Sequence, residues 1–152
     1  MVRLVDVAEP LRSVLSKMEC PRFESTPWAS GPPLSERRVA IVSSAALLRR
    51  GDRGYEFGDT SHRTIDRADR HDIVMGHTST NFDRSGYEQD LNVVFPLDRL
   101  DELATEGVVG SVADRHYSFL GAADPKTLGP TGQDLARRLK DDGVDAVLFV
   151  PV

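Results

Sequence analysis

The sequence holds a single cysteine, Cys20, among its 152 residues. A disulfide within the chain is therefore impossible, and a structural zinc site built on several thiolates is excluded. In MECPRF, at the expected end of a helix, Cys20 reads as a small, partly buried hydrophobe rather than a nucleophile. No apolar run approaches the length of a membrane span. The first ten residues, MVRLVDVAEP, carry acids where a secretory signal needs an apolar core, so a reducing cytoplasm is the expected compartment and no membrane partner is expected. Positive charge is in deficit, with 19 Lys and Arg against 24 Asp and Glu. The arginines are mixed with acids rather than clustered, which argues against nucleic acid as a partner. No Gly-rich phosphate loop follows a strand and no G-x-S-x-G is present, so nucleotide binding and serine-triad chemistry lack support. The four histidines include no pair at i, i+4 with a matching carboxylate, so no metal site is expected.

What remains is 39% hydrophobic residues, enough for one core. Leu11, Val14, Leu15 and Met18 follow helical spacing after Pro10, which suits a first helical position. Residues 21–36, with four prolines, exclude long helix or central strand. They are expected to form an extended arm pinned by Phe23 and Trp28. The chain thus divides into an N-terminal helix and Pro-rich arm, 1–36, and an α/β body, 37–152, within one domain.

In the body, Val39–Val42 is a continuous apolar run, the pattern of a strand covered on both faces. It ends in Ser43 and Ser44. Residues 49–71 are polar and read as a long surface loop, with His62 and His71 solvated. Asp72–Met75 is a second short strand, followed by Gly76, His77, Thr78, Ser79 and Thr80. Leu97, Leu100, Leu103 and Ala104 mark an amphipathic helix closed by Gly107. His116–Gly121 (HYSFLG) is extended. Thr131 and Asp134 form a capping-box pattern ahead of a helix bearing Leu135 and Leu139 and ended by Gly143. The close, VDAVLFVPV, is the strongest strand. Strands alternating with helices predict a three-layer α/β fold with an open, mostly parallel sheet and flanking helices. Ligands of such sheets bind beyond the carboxyl ends of the strands. That rule selects Ser43–Ser44, His77–Thr80 and the position after Val152. A buried strand as the last element further suggests a body truncated at its C-terminus.

Candidate pocket residues follow, each with a plainer alternative. His77 can orient or protonate a substrate, or be a hydrogen-bonded loop histidine. Thr78 shares its position. Asp83 and Arg84 can hold a zwitterion, with Arg84 gripping its carboxylate, or pair with each other at the surface. His116 and Tyr117 either line the pocket or pack as structure. Ser43 and Ser44 can dock a carboxylate. Asn92 fixes a turn through its side chain.

GPPLSERRVAIVSSAAL (31–47), DIVMGHTSTNFDRSGYEQDLNVVFPLDRL (72–100), EGVVGSVADRHYSFLGA (106–122) and LKDDGVDAVLFVPV (139–152), in that order, resemble the selenoprotein B family of the glycine, sarcosine, betaine and D-proline reductases. DLNVVFPLDRL (90–100) and HYSFLG (116–121) carry most of the likeness. The resemblance implies reductive cleavage of a small amine or amino acid. It implies a selenocysteine or cysteine directly after the Pro151–Val152 position, then a second cysteine, a helix and a strand. A selenocysteine codon, UGA, is read by ordinary gene finding as a stop. The 152-residue chain, with no catalytic residue of its own, is accordingly expected to be inactive as a reductase. Other reductase subunits or a dithiol electron donor, and a homo-oligomer, are the implied partners. The alternatives are a non-catalytic partner or regulatory subunit of the same family, and an unrelated small-molecule-binding α/β domain.

Overall fold

The computed structural model describes residues 3–17, 22, 24–25, 28–79 and 84–152. Met18, Cys20, Phe23, Thr80 and Asp83, all singled out in the sequence, lie outside the described residues.

A short helix, α1 (Leu11–Lys17), falls where the apolar spacing predicts it. The arm that follows is not pinned by Trp28, whose side chain is 86% exposed. Its end is tied through its own carbonyls instead: the Arg37 side chain donates from Nε to Pro32 O (2.6 Å), and Gly110 N donates to Leu34 O (3.0 Å).

Strand β1 (Arg38–Ser43) is the centre of the sheet, and everything after Arg38 in it is buried. Its alternate residues serve two cores. Val39 and Ile41 pack with Phe95, Leu97 and Leu100, while Ala40 and Val42 pack with Tyr117, Leu139 and Val144. That two-sided burial explains why β1 reads as a continuous apolar run instead of an alternating one. Strand β2 (Leu47–Arg49) follows, then β3 (His62–Asp66) and β4 (Ile73–Met75). After α2 (Ser85–Gln89) and α3 (Leu97–Thr105) come β5 (Ser111–Val112) and β6 (Arg115–Phe119). Helix α4 (Gly129–Asp141) then leads to β7 (Ala146–Val150).

The main sheet is mostly parallel. β1 pairs in parallel with β5 and β6 along one side and with β7 along the other, and β3 pairs antiparallel with β6. Helix α3 lies over one face through Leu97 and Leu100, and α4 over the other through Leu139. This is the three-layer α/β arrangement expected.

Three local expectations are corrected. Residues 62–66 are not loop but strand. In HRTID only Ile65 is buried, so the period-2 signal is a single residue, too weak to register against the polar surroundings. DIVM does not join the parallel sheet. β4 pairs antiparallel with β2, Leu47 opposite Met75, in a separate two-stranded ribbon. The Thr131–Asp134 capping box does not form. α4 begins at Gly129 with Pro130 in its first turn, Thr131 Oγ1 donates to Thr60 O (2.6 Å), and Asp134 pairs with Arg137 and Arg138. Pro130 supplies the fixed backbone angle that a capping side chain would otherwise stabilise. The two glycine stops hold. Gly107 (φ +74°) and Gly143 (φ +70°) both adopt the left-handed conformation that ends a helix without a Cβ penalty.

Candidate functional site

Parallel pairing puts the carboxyl ends of β1, β6 and β7 at one end of the sheet, and Ser44 joins them. Its amide donates to Val150 O (3.0 Å), and its carbonyl accepts from Gly121 N (3.0 Å) just beyond β6. The Ser44 hydroxyl accepts from Val152 N (2.8 Å) and lies 3.4 Å from Val152 O. One serine therefore holds the exits of both strands that flank β1. Gly121 makes this possible, because a Cβ there would stand 3.0 Å from Ser44 Cβ and from Ser44 O. Gly121 was not among the residues selected from the sequence. Its signal was its place directly after an extended run, where close backbone approach demands glycine.

Ser43 faces inward. It is fully buried, donates through Oγ to Val94 O (2.8 Å) and accepts from Ala45 N (3.2 Å). It locks the segment before α3 to the sheet and is not available to a ligand.

The loop after β4 reaches the same end of the sheet by way of Ala46, whose carbonyl accepts from Gly76 N (2.8 Å). Next in that loop, His77 is buried, and its Nδ1 accepts from Ser79 N (3.0 Å). That bond leaves Nε2 to carry the proton of the neutral ring. Burial, and secondarily the Arg84 guanidinium, hold the His77 pKa below the usual histidine value. Arg84 Nη2 donates to His77 O (2.9 Å) and Ser79 O (2.6 Å), so it shapes the loop around His77. Thr78, between them, is exposed.

His116 and Tyr117 are not at this end. Both are sealed in the sheet, on opposite faces. Where the ladder beside β1 breaks between β5 and β6, the Ile41 amide donates to His116 Nδ1 (3.0 Å) instead of to a carbonyl. Phe95 packs edge-on to the ring at 5.4 Å. Burial, reinforced by the Arg67 cation, lowers the His116 pKa to about 4. Tyr117 packs against His62 at 5.5 Å between ring centres. His62 is thus a covered strand residue, and burial lowers its pKa too. His71 is exposed. Asn92 does fix a turn: its Oδ1 accepts from Asp98 N (3.1 Å), and its Nδ2 donates to Asp90 and Asp98.

The structure therefore gathers Ser44, with Val152, at the carboxyl end, and joins His77, Ser79 and Arg84 in one loop anchored beside it. It removes Ser43, His116 and Tyr117 to the interior. Among the described residues no group of three or more His, Cys, Asp or Glu side chains can hold a metal ion, and no helix is long and apolar enough to cross a membrane.

Residues 21–151 match the family model described as glycine/sarcosine/betaine reductase selenoprotein B. The chain is 34% identical to the D-proline reductase subunit gamma of Acetoanaerobium sticklandii over 76% of its own length and 49% of the relative's. It is 28% identical to the glycine reductase complex component B subunit gamma of Carboxydothermus hydrogenoformans, over 88% of this chain and 32% of that one. It is 29% identical to the sarcosine reductase complex component B subunit beta of Peptoclostridium acidaminophilum, over 76% and 28%. The chain thus spans half or less of the curated relatives it matches. No solved structure matches it.

Proposed function

We propose, from the premise that this chain belongs to the glycine/sarcosine/betaine reductase selenoprotein B family, that it is the substrate-positioning α/β part of a reductase acting on a small amine or amino acid. The observation that carries the reading is the hydrogen bond from Val152 N to Ser44 Oγ. It fixes the exit of β7 at the end of the sheet where ligands of open parallel sheets bind. A selenol or thiol joined directly after Val152 would supply a nucleophile and electron carrier there, with a dithiol couple or another reductase subunit as the source of electrons.

The residues of this chain have separate parts in that scheme. Ser44 aligns the exit of β7 against β1. His77, its pKa held below the usual histidine value and its Nδ1 accepting from Ser79 N, acts as a neutral hydrogen-bond donor through Nε2 toward an anion or a developing negative charge. Arg84 keeps the His77 loop in shape. Its Nη2 is engaged with loop carbonyls, so we assign it a positioning role ahead of a direct grip on a substrate carboxylate.

The test is reductive turnover of D-proline, glycine, sarcosine and betaine with a dithiol donor. Two proteins are compared: the 152-residue chain, and the same chain carrying the frame read through the codon after Val152, with cysteine encoded there. Turnover is expected only from the longer form, and to depend on His77. Turnover by the 152-residue chain would refute the placement of the redox group. If the longer form is folded and inactive on all four substrates, the non-catalytic subunit reading takes over.

A further inference from the structure

Successive residues of a strand turn their N–H and C=O groups to opposite sides. In the β2–β4 ribbon, Asp72, Val74 and Gly76 turn toward β2. Asp72 O accepts from Arg50 N (2.8 Å), Val74 lies opposite Leu48, and Gly76 N donates to Ala46 O (2.8 Å). Ile73 and Met75 therefore turn their amides away from β2. The Met75 amide is met there by a side chain, and donates to the hydroxyl of Tyr87 (3.2 Å). The same alternation continues past the strand. His77 O, two residues on, accepts from Arg84 Nη2 (2.9 Å), and Ser79 O, two further, accepts from the same nitrogen (2.6 Å).

Arg84 stands directly before α2, and Tyr87 lies three residues later within it, so both side chains leave the same side of one short helix. Residues 75, 77 and 79 are thus all held from α2. Gly76, between the first two, is held by Ala46 from the side of β2. Ala46 is fully buried and has φ +53°, the left-handed region that alanine enters only at a cost. Its amide donates to Phe119 O (3.0 Å) at the exit of β6, while its carbonyl takes the Gly76 amide. Strain of this kind persists only where the surroundings over-determine it, and it gathers at functional sites. Here it lies two residues after Ser44 and ties the His77 loop to the carboxyl end of the sheet.

The ring and the hydroxyl of Tyr87 have separate tasks. The ring packs against the core cluster that contains Ile41, Leu47 and Phe95, a task that a phenylalanine would perform equally. The hydroxyl adds one bond, to the amide two residues before His77. We infer that Tyr87 is a positioning residue for His77: its hydroxyl fixes the backbone from which the His77 ring projects, and with it the direction of Nε2. As a statement about turnover, the inference rests on the reading of His77 as the hydrogen-bond donor of a reductase site. As a statement about the ring itself, it rests on the bonds above.

The test starts with Tyr87→Phe in the 152-residue chain, a change that keeps the ring. Hydrogen exchange at the Met75 amide is expected to quicken by about tenfold, the loss of one net hydrogen bond. In nitrogen NMR the unaltered His77 is expected to show one neutral tautomer, protonated at Nε2. In the variant its two nitrogen shifts are expected to converge as the tautomers mix, with those of His116 unchanged. In the form carrying cysteine after Val152, Tyr87→Phe is expected to lower kcat by roughly tenfold to 10²-fold, as a misplaced group does, with KM little changed. In a His77→Ala background it is expected to lower kcat no further, because a positioning residue acts only through the group it positions. His77 shifts that are identical with and without the hydroxyl overturn the inference and leave the reductase reading standing. An equal loss of kcat in the presence and absence of His77 overturns it too. Shifts that converge as expected, in an extended protein that turns over none of the four substrates, uphold the positioning and sink the reductase reading. Should Tyr87→Phe fail to fold, the unaltered chain decides: its Met75 amide is expected to exchange as slowly as that of Val74, and exchange at the rate of an open strand edge overturns the inference.

Discussion

Two histidines make the same hydrogen bond in different settings. In the middle of the sheet, His116 Nδ1 accepts from the Ile41 amide at 3.0 Å, across 75 positions of sequence. In the loop after β4, His77 Nδ1 accepts from the Ser79 amide at 3.0 Å, across two. Both rings are buried and both are held neutral. The first bond repairs a break in the β1 ladder, where a carbonyl is missing between β5 and β6. The second rounds off a loop that Arg84 gathers beside the carboxyl end of the sheet. A buried histidine is thus explained by what its bond holds together, and burial or a lowered pKa alone does not mark a site.

The contrast is sharpest under substitution. His116→Ala leaves the Ile41 amide without an acceptor inside the core and opens a cavity. A cost of about 3 kcal/mol is expected, a large part of the ~5–15 kcal/mol that holds a domain of this size. Denaturant titration checks it, and a cost below about 1 kcal/mol would show that His116 does not hold the ladder.

Acid should separate the two histidines next. Unfolded, His116 takes up its proton near pH 6.5. Folded, it does so only near pH 4. Between these values the unfolded chain binds more protons, so the contribution is complete above about pH 6.5 and is lost as pH falls toward about 4. The full loss is on the order of 3 kcal/mol. His116→Gln is expected to flatten this slope in a pH series of thermal melts, and His77→Gln to leave most of it.

His77→Ala is expected to cost only about 1 kcal/mol in stability, since its bond closes a short loop. In a form carrying the proposed redox residue after Val152 it should lower turnover by about 10²-fold or more, the range for loss of one hydrogen-bond donor to developing charge. A variant that unfolds, or that keeps full turnover, erases the distinction between the two rings. The smallest effect on folding is expected from Ser44→Ala, about 0.5 kcal/mol for a hydroxyl that is not fully buried. Its consequence should be confined to the exit of β7, seen as faster amide exchange at Val152 with Ile41 unaffected.

Much of the frame was legible because burial writes itself into sequence. β1 was plain from its run of Val39, Ala40, Ile41 and Val42, and α3 from Leu97 and Leu100. Gly107 and Gly143 announced their helix ends through the one conformation glycine alone accepts cheaply. β3 was not legible, because an edge strand with one buried side chain, Ile65, has almost no pattern. DIVM was legible as a strand but not as a partner of β2, since pairing depends on a neighbour some 25 residues away. At the site, the strand-end rule selected Ser44 and His77; Ser44 lies at the carboxyl end of β1, and the His77 loop is anchored beside it through Gly76 and Ala46. It also selected Ser43, one residue from Ser44 and pointing the other way. His116 and Tyr117 were drawn in by residue type, and only the break in the ladder explains why a histidine belongs in the core. Trp28 shows the reverse failure: an aromatic expected to anchor the arm is exposed beside the β7 edge.

The claim at the centre of this account is that a redox residue follows Val152 where Ser44 holds the exit of β7. The most direct measurement is the DNA sequence after the Val152 codon. The account predicts TGA (UGA in the message), with an open frame beyond it encoding a nearby cysteine, a helix and a strand over roughly 20–30 residues. A TAA or TAG codon there, or a downstream frame without such a segment, would contradict it.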